Sequence, residues 1–329
     1  MIRYLLNVSY IGTAYKGVTM IEPYYRFRDL RTVQGVVELA IKKFFKERCE
    51  VMCSSRTDAR VHAIHSTFHF DVKQSGTKLQ LETENEKMEI IATLNENLKY
   101  QNAAIRISDI NRVDEKTFSA FRNVESRSYM YRIAITSRNK RGECIVPIEE
   151  VDRCYFVECD TFDMDKFKRA AQLFVGRHDF RSFMKYSQEE KTQGVCYAQR
   201  KLISVTVEPS KTSTISLNGS DKHFQFYDVT FTGNSFVYRQ IRNIMGALCA
   251  CAQNRITERD IYELLTIPSH KSWKMLKYQE LVETAPAHGL YFIGINYKPE
   301  KEWTLEPIET SSRGLRMKSF LLLKDTVVP

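Results

Sequence analysis

The sequence predicts an α+β protein that consists of two α/β domains. The chain has 329 residues, which is long enough for two hydrophobic cores. Its composition, 43% hydrophobic and 27% charged, is typical of a globular protein. Strand and helix patterns alternate in two comparable halves, as expected where helices cover a sheet. We expect domains at residues 1–112 and 113–300, a site in the cleft between their sheets, and a tail at 301–329.

The first half begins with a strand pattern, because Tyr4, Leu6, Val8 and Tyr10 alternate with other residues. Thr32 is a candidate cap for the helix that follows. The remaining elements predicted in this half are strands at 50–54, 66–72 and 104–110 and a helix at 88–98.

The second half repeats this order. Apolar residues at helical spacing predict a helix around residues 167–174, closed by Gly176. Thr257 and Asp260 form a predicted capping box for a short helix that ends at residue 265. The other predicted elements are strands at 128–136, 201–208, 224–232 and 289–297 and a long helix at 236–253.

The segment Arg56-Thr57-Asp58 lies between two predicted strands. Residues i and i+2 of an extended segment face the same side, so Arg56 and Asp58 are predicted to share a cleft. There the guanidinium orients the carboxylate or binds a phosphate. Taken alone, the triplet is more typical of a solvated turn held by an Arg–Asp pair.

The charge of the chain indicates a polyanionic partner. A net charge of +9 and a pI near 9.0 favour nucleic acid over a membrane surface, since no basic amphipathic helix is evident. No run of eighteen apolar residues predicts a membrane span. Candidates for phosphate contacts are Arg122, Arg127, Arg239 and Arg242. The alternative for each of these arginines is a surface ion pair.

Metal binding is not predicted. The eight cysteines include no CxxC pair matched by a second CxxC or by HxxxH, so a structural zinc site is not expected and the thiols fit a reduced core. His62, His65 and His69 cluster in the sequence, but without an acidic partner in register. Tyr131 and Phe180 are predicted to be core rings, and Asp179 a turn residue.

A series of different short motifs is distributed along most of the chain. They are Tyr10-Ile11-Gly12, Tyr15-Lys16-Gly17, Thr32-Val33-Gln34, Arg56-Thr57-Asp58-Ala59, Val61-His62-Ala63, Leu94-Asn95, Arg127-Ser128-Tyr129-Met130-Tyr131, Asp179-Phe180, Arg242-Asn243 and Ala285-Pro286-Ala287. With these motifs the sequence resembles the tRNA pseudouridine synthase A family, and within it the related branch found in animals, over residues 3 to about 297.

The resemblance implies a pseudouridine synthase fold, with mainly antiparallel sheets flanked by helices and an active-site cleft between the two domains. It assigns the essential aspartate to Asp58, the arginine beside the active site to Arg56, the ring that stacks on the target uracil to Tyr129 and the apolar residue that closes the pocket to Leu290. It further implies a homodimer that uses no metal or organic cofactor and modifies uridines in the anticodon arm of tRNA.

Five positions depart from the family pattern, namely Val18, Ser55, Arg60, Lys99 and Phe121. Arg60 replaces the usual glycine, which matters if that position requires a positive φ, and Phe121 stands where an arginine is usual, with Arg122 beside it. An RNA-binding protein without catalysis therefore remains an alternative. A base deaminase is disfavoured, because its zinc-binding signature is absent. The animal branch points to mitochondria, with the cytoplasm or nucleus as the alternative.

Overall fold

A computed structural model describes residues 1–19, 31–73, 83–136, 146–186, 198–210 and 224–302. The predicted tail falls outside these residues apart from its first two positions.

The described residues form ten strands and six α-helices. The strands are β1 (Ile2–Tyr10), β2 (Val51–Cys53), β3 (His62–Val72), β4 (Ile105–Val113), β5 (Val124–Thr136), β6 (Tyr155–Glu158), β7 (Gly176–Asp179), β8 (Gln199–Pro209), β9 (Gln225–Gly233) and β10 (Leu290–Tyr297). The helices are α1 (Val33–Phe45), α2 (Glu84–Tyr100), α3 (Met164–Gln172), α4 (Gln240–Ala252), α5 (Glu258–Thr266) and α6 (His270–Tyr278).

All ten strands belong to one sheet. Its order is β4-β1-β3-β10-β5-β9-β8-β7, with β2 beside β3 and β6 beside β5. The ladders are antiparallel except β3–β10 and β5–β6. The α+β class with a mainly antiparallel arrangement is therefore confirmed, but the strands of the two halves join in one sheet where two separate sheets were expected. The predicted domain boundaries remain a prediction.

The joint between the halves is short. Strands β3 and β10 pair through only two residue pairs, His62 with Tyr291 and Ala63 with Phe292. On one side of this joint the sheet contains β4, β1 and β3. On the other side it contains β10, β5, β9, β8 and β7. Loops that enter or leave β3 and β10 at this joint therefore lie close to residues from the other half of the sequence.

Local signals explain most element boundaries. The Thr32 hydroxyl accepts the Gly35 N–H at 3.2 Å and caps α1. Thr257 and Asp260 form the predicted capping box of α5. Tyr131 and Phe180 are fully buried, and the Asp179 side chain accepts the Arg181 N–H, as predicted for core rings and a turn residue.

Two local predictions were wrong, and one helix was not predicted. The long helix begins at Gln240 and not at residue 236, because Arg239 adopts a left-handed φ of 64°. Gly176 does not close α3 but opens β7, with φ +112°. Helix α6 was not predicted; Trp273 is its only buried residue, which leaves little apolar periodicity to detect.

Close backbone packing on α4 fixes the segment that leads into β10. A Cβ at Gly246 would lie 1.7 Å from the Glu283 carbonyl oxygen, so only glycine permits this approach. The Ala285 N–H donates to the Arg242 carbonyl at 3.1 Å. Residues 283–286 are thereby held against the first half of α4, and the short 3-10 helix Ala287–Gly289 connects them to Leu290.

The described cysteines agree with the reduced-core prediction. All six are free, and five of them are buried. Within the described ranges, no helix is long and apolar enough to cross a membrane.

Candidate active site

The loop that contains Asp58 connects β2 to β3 and is called here the Asp58 loop (residues 54–61). Its side chains and backbone are held from both halves of the sheet. The Ser55 hydroxyl shares a hydrogen bond of 2.7 Å with the Tyr129 hydroxyl, and the Thr57 hydroxyl one of 2.9 Å with Tyr10. Arg127 donates to the Ser54 carbonyl from Nε at 3.2 Å and from Nη2 at 2.8 Å. These bonds fix the loop at the joint between β3 and β10.

Arg242 forms the ion pair with Asp58. Its Nη1 lies 3.4 Å from Asp58 Oδ2, and its Nε donates to the Ala285 carbonyl at 2.8 Å. The two side chains are only 23% (Asp58) and 14% (Arg242) exposed. Backbone thus orients the guanidinium, and the guanidinium orients the carboxylate.

The orienting contact predicted for Arg56 is therefore made by Arg242. Arg56 is exposed, and among the described residues it forms no ion pair with Asp58. The reason lies in the backbone, because β2 ends at Cys53 and the loop turns at Arg60. The alternation that places i and i+2 on one side holds only in an extended segment.

Burial and charge act in opposite directions on Asp58. Burial raises the pKa of its carboxyl group above the ordinary value, and the positive charges of Arg242, Arg239 and Lys185 counteract this rise. A buried carboxylate that nearby fixed cations hold in its ionised form is the kind of group that serves as a nucleophile or base in enzymes.

Arg60 adopts the conformation that its position demands. Its φ is 67°, in the left-handed region where glycine is favoured, which explains the usual residue at this position. Its N–H donates to the Tyr15 carbonyl at 3.2 Å, and its guanidinium pairs with Asp152 at 2.9 Å. Arginine at this position therefore keeps the turn and adds an exposed contact to the second half of the chain.

Tyr129 lies beside Asp58 in an aromatic wall. Its side chain is largely buried on β5, with its ring centroid 4.9 Å from that of Phe292 and 5.1 Å from that of Phe236. Burial raises the pKa of Tyr129 to about 12, so its hydroxyl stays protonated at neutral pH. Leu290, also buried, begins β10 opposite Tyr131. The structure thus brings Asp58, Tyr129 and Leu290 to the same joint.

His62 belongs to the motif Val61-His62-Ala63, but the sequence did not show which residues it contacts. Fully buried, it accepts the Gly12 N–H on Nδ1 at 3.0 Å and donates from Nε2 to the His288 carbonyl at 3.0 Å. Its ring stacks on Tyr291 with centroids 4.7 Å apart. Burial lowers the pKa of His62 to about 4, so a neutral imidazole of fixed tautomer links the Asp58 loop to the segment before Leu290.

The predicted phosphate-contact arginines occupy different environments. Arg127 donates hydrogen bonds to the Ser54 carbonyl and, from Nη1 at 2.9 Å, to the Asn234 carbonyl. These bonds give Arg127 a structural role. Arg239 precedes α4, so it does not share a helix face with Arg242; it lies over the Tyr238 ring at 5.4 Å. Arg122 is exposed. Their contacts with phosphate remain predictions.

The histidine cluster does not form a metal site in the described part of the chain. His69 is buried and accepts the Ala120 N–H at 3.1 Å, while His65 is exposed. No group of three histidine, cysteine or acidic side chains among the described residues is arranged to hold a metal ion.

A largely buried carboxylate, ion-paired with an arginine and set beside a tyrosine at the joint of one large sheet, has the chemistry that nucleophilic or base catalysis requires. Comparison with known proteins gives the family. Residues 170–298 match the family described as tRNA pseudouridine synthase.

Curated relatives match over most of the chain. It is 30% identical over 296 residues to tRNA pseudouridine synthase-like 1 of Homo sapiens, covering 90% of each protein. The Xenopus laevis protein of the same name is 29% identical, covering 90% of this chain and 91% of the relative. tRNA pseudouridine synthase A of Brucella ovis is 27% identical over 297 residues, or 90% of this chain and 98% of the relative. The chain belongs to the tRNA pseudouridine synthase family.

Proposed function

We propose that this protein converts uridine in tRNA to pseudouridine, with Asp58 as the essential carboxylate. The observation that supports this most directly is the ion pair between Asp58 and Arg242, beside Tyr129, in a chain that belongs to the family. Of the described groups next to the Tyr129 ring, Asp58 is the one whose chemistry fits an attack on, or a proton abstraction from, the ribose.

The reaction is an isomerisation. The bond between N1 and C1′ breaks, uracil rotates in place, and a bond between C5 and C1′ forms. C5 loses a proton and N1 gains one, so no atoms are added or removed. Asp58 acts either as the nucleophile at C1′, which gives a covalent ester that C5 later displaces, or as the base that removes the 2′ proton and gives a glycal.

The remaining residues are assigned supporting roles. Arg242 holds the carboxylate in its ionised, oriented form, and Tyr129 provides an aromatic surface for the uracil. The target uridine must leave its base stack at a cost on the order of a few kcal/mol, part of which an aromatic contact returns. Leu290 closes the pocket and helps to exclude water, so that the detached base is retained.

The test is chemical mapping of pseudouridine in unmodified tRNAs treated with the wild-type protein and with Asp58→Asn. We expect the wild type to form pseudouridine, and the variant to bind tRNA with the same Kd but to form none. Asp165→Asn, an exposed carboxylate on α3, is the matched control and should be fully active. Equal tRNA binding with no product from either wild type or variant would favour an RNA-binding protein without catalysis.

Four finer features follow from the family resemblance and belong to the proposal. The target uridine lies in the anticodon arm, the protein acts as a homodimer, it needs no metal or organic cofactor, and it works in mitochondria. Mapping the modified position, sedimentation of the purified protein, assay in the presence of a chelator and fractionation of cells test them one by one.

A further inference from the structure

A polar groove lies on the sheet, and Asp58 is not among the residues that line it. It has a volume of about 710 Å³ and is bounded by residues of β5, β7, β8, β9 and β10. Lys201 precedes the fully buried Leu202, and Thr232 follows the fully buried Phe231, so Lys201 and Thr232 face away from the core. The groove is therefore an open surface of the sheet and not a part of the pocket around Asp58.

The lining of the groove is basic. Arg177, Arg200 and Lys201 line it together with one acidic residue, Glu125. Most of the other lining residues have hydroxyl or amide side chains, such as Thr232 and Asn296. This combination fits a ligand that presents both negative charge and hydrogen-bonding groups, as the phosphates and 2′-hydroxyls of RNA do.

Two of these cations stand directly opposite each other. Arg177 on β7 and Lys201 on β8 are register partners in an antiparallel ladder, and both are exposed. Like charges at directly opposite positions destabilise a sheet. Among the described residues neither side chain forms an ion pair. An anion placed between them would remove the repulsion.

Hydrogen bonds connect the wall of the groove to the Asp58 loop through Asn234. Asn234 lines the groove, and its carbonyl accepts a hydrogen bond of 2.9 Å from Arg127. Arg127 in turn binds the Ser54 carbonyl at the start of the Asp58 loop. Two residues after Asn234, Phe236 contacts the Tyr129 ring. The groove therefore lies near the Asp58 loop but on the other face of the sheet, because Thr232 alternates with Phe231, the register partner of Tyr129.

We propose that this groove binds the phosphodiester backbone of the tRNA, with a phosphate between Arg177 and Lys201. The proposal rests on the proposed function for the identity of the RNA. It assigns the groove to affinity and placement of the substrate, and it gives Arg177 and Lys201 no part in the chemical step.

The test compares Arg177→Ala/Lys201→Ala with Lys168→Ala/Lys274→Ala. The control removes the same charge from exposed positions on α3 and α6. At 0.15 M salt we expect the groove variant to bind unmodified tRNA roughly tenfold more weakly than the control. The slope of the log of the binding constant against the log of the salt concentration is negative. Its magnitude should decrease by about one to two, as for the loss of one or two phosphate contacts. KM should rise with little change in kcat, and the urea midpoint should stay equal or rise.

Equal tRNA affinity and equal salt slopes for the two double variants would overturn the proposal. So would a groove variant whose urea midpoint falls together with its affinity, since the cations would then be structural. The binding readout is independent of catalysis. If the wild type forms no pseudouridine and the groove variant still loses affinity, the proposed reaction fails and the groove assignment stands.

Discussion

At the scale of single residues, the most informative contact is that between Arg242 and Asp58. Arg242→Gln removes the positive charge that favours the ionised carboxylate, so the pKa of Asp58, already raised by burial, rises further. If activity requires the carboxylate, the acidic limb of the pH profile of kcat/KM moves to higher pH. We expect this shift in Arg242→Gln together with a fall in kcat of at least roughly tenfold.

Arg56→Gln is the matched control for this experiment. Arg56 is exposed and outside the ion pair, so its substitution should leave the position of the acidic limb unchanged. A shift in Arg56→Gln and none in Arg242→Gln would restore the assignment made from the sequence and contradict the geometry.

Arg60 gives a second prediction at this scale, about stability. A left-handed φ costs a residue with a Cβ about 1–2 kcal/mol, and an exposed ion pair such as Arg60–Asp152 returns at most about 1 kcal/mol. Arg60→Gly should therefore leave the free energy of unfolding unchanged or raise it by about 1 kcal/mol, whereas Arg60→Val should lower it by about 1 kcal/mol or more. Urea unfolding measures both. Asp152→Asn removes the ion pair with Arg60 together with the 3.9 Å contact between Asp152 and His288. If Arg60→Gly lowers the free energy of unfolding by well over 1 kcal/mol, the backbone strain assigned to Arg60 is refuted.

At the scale of elements, His62 connects the start of β3 to the segment before β10. Burial lowers its folded pKa to about 4, below that of the unfolded chain, so below about pH 6.5 the unfolded state binds a proton that the folded state does not. Stability linked to His62 is therefore complete above pH 6.5 and decreases as the pH falls towards 4. The decrease amounts to about 3 kcal/mol for a shift of this size.

This loss should be smaller in His62→Gln, which retains one acceptor and one donor but does not titrate. Urea unfolding at pH 7 and pH 4.5 measures the change for each protein, and effects of other groups cancel in the difference. His65→Gln removes an exposed histidine and should lose as much stability as the wild type. Identical losses in wild type and His62→Gln would show that the imidazole is not buried in its neutral form.

Elements also show where sequence patterns suffice. The strands β1, β5, β8 and β9 were placed within a few residues, since alternation of apolar side chains is a local property. The start of α4 was missed because Phe236 and Val237 extend the apolar pattern before the turn at Arg239. Asp58 and Tyr129 were selected from their motifs, and their roles remain predictions. Arg242 and His62 acquire their roles from partners distant in sequence, and no local pattern contains that information.

At the scale of the whole molecule, the two halves of the chain share one sheet and one core. A single cluster of buried residues includes Tyr4 and Phe70 from the first half and Tyr131 and Phe174 from the second. The alternation of strand and helix patterns predicted two sheets. It could not show the pairing of β3 with β10, which joins positions more than two hundred residues apart. The Asp58 loop leads into β3 and Leu290 begins β10 at this joint, so the site depends on the pairing of the two halves.

This arrangement predicts that the described part of the chain unfolds in one cooperative transition. Phe292 is fully buried at the joint, 4.9 Å from the Tyr129 ring, and its truncation leaves a cavity between the halves. Phe292→Ala should lower the free energy of unfolding by about 3–5 kcal/mol, and peptides from β1 and from β9 should lose hydrogen-exchange protection at the same urea concentration. Ile64→Ala, at an exposed position on β3, is the control and should change stability little. If β1 and β9 lose protection at different urea concentrations, the halves are separate domains as the sequence predicted. The active site would then depend on their docking and not on a common core.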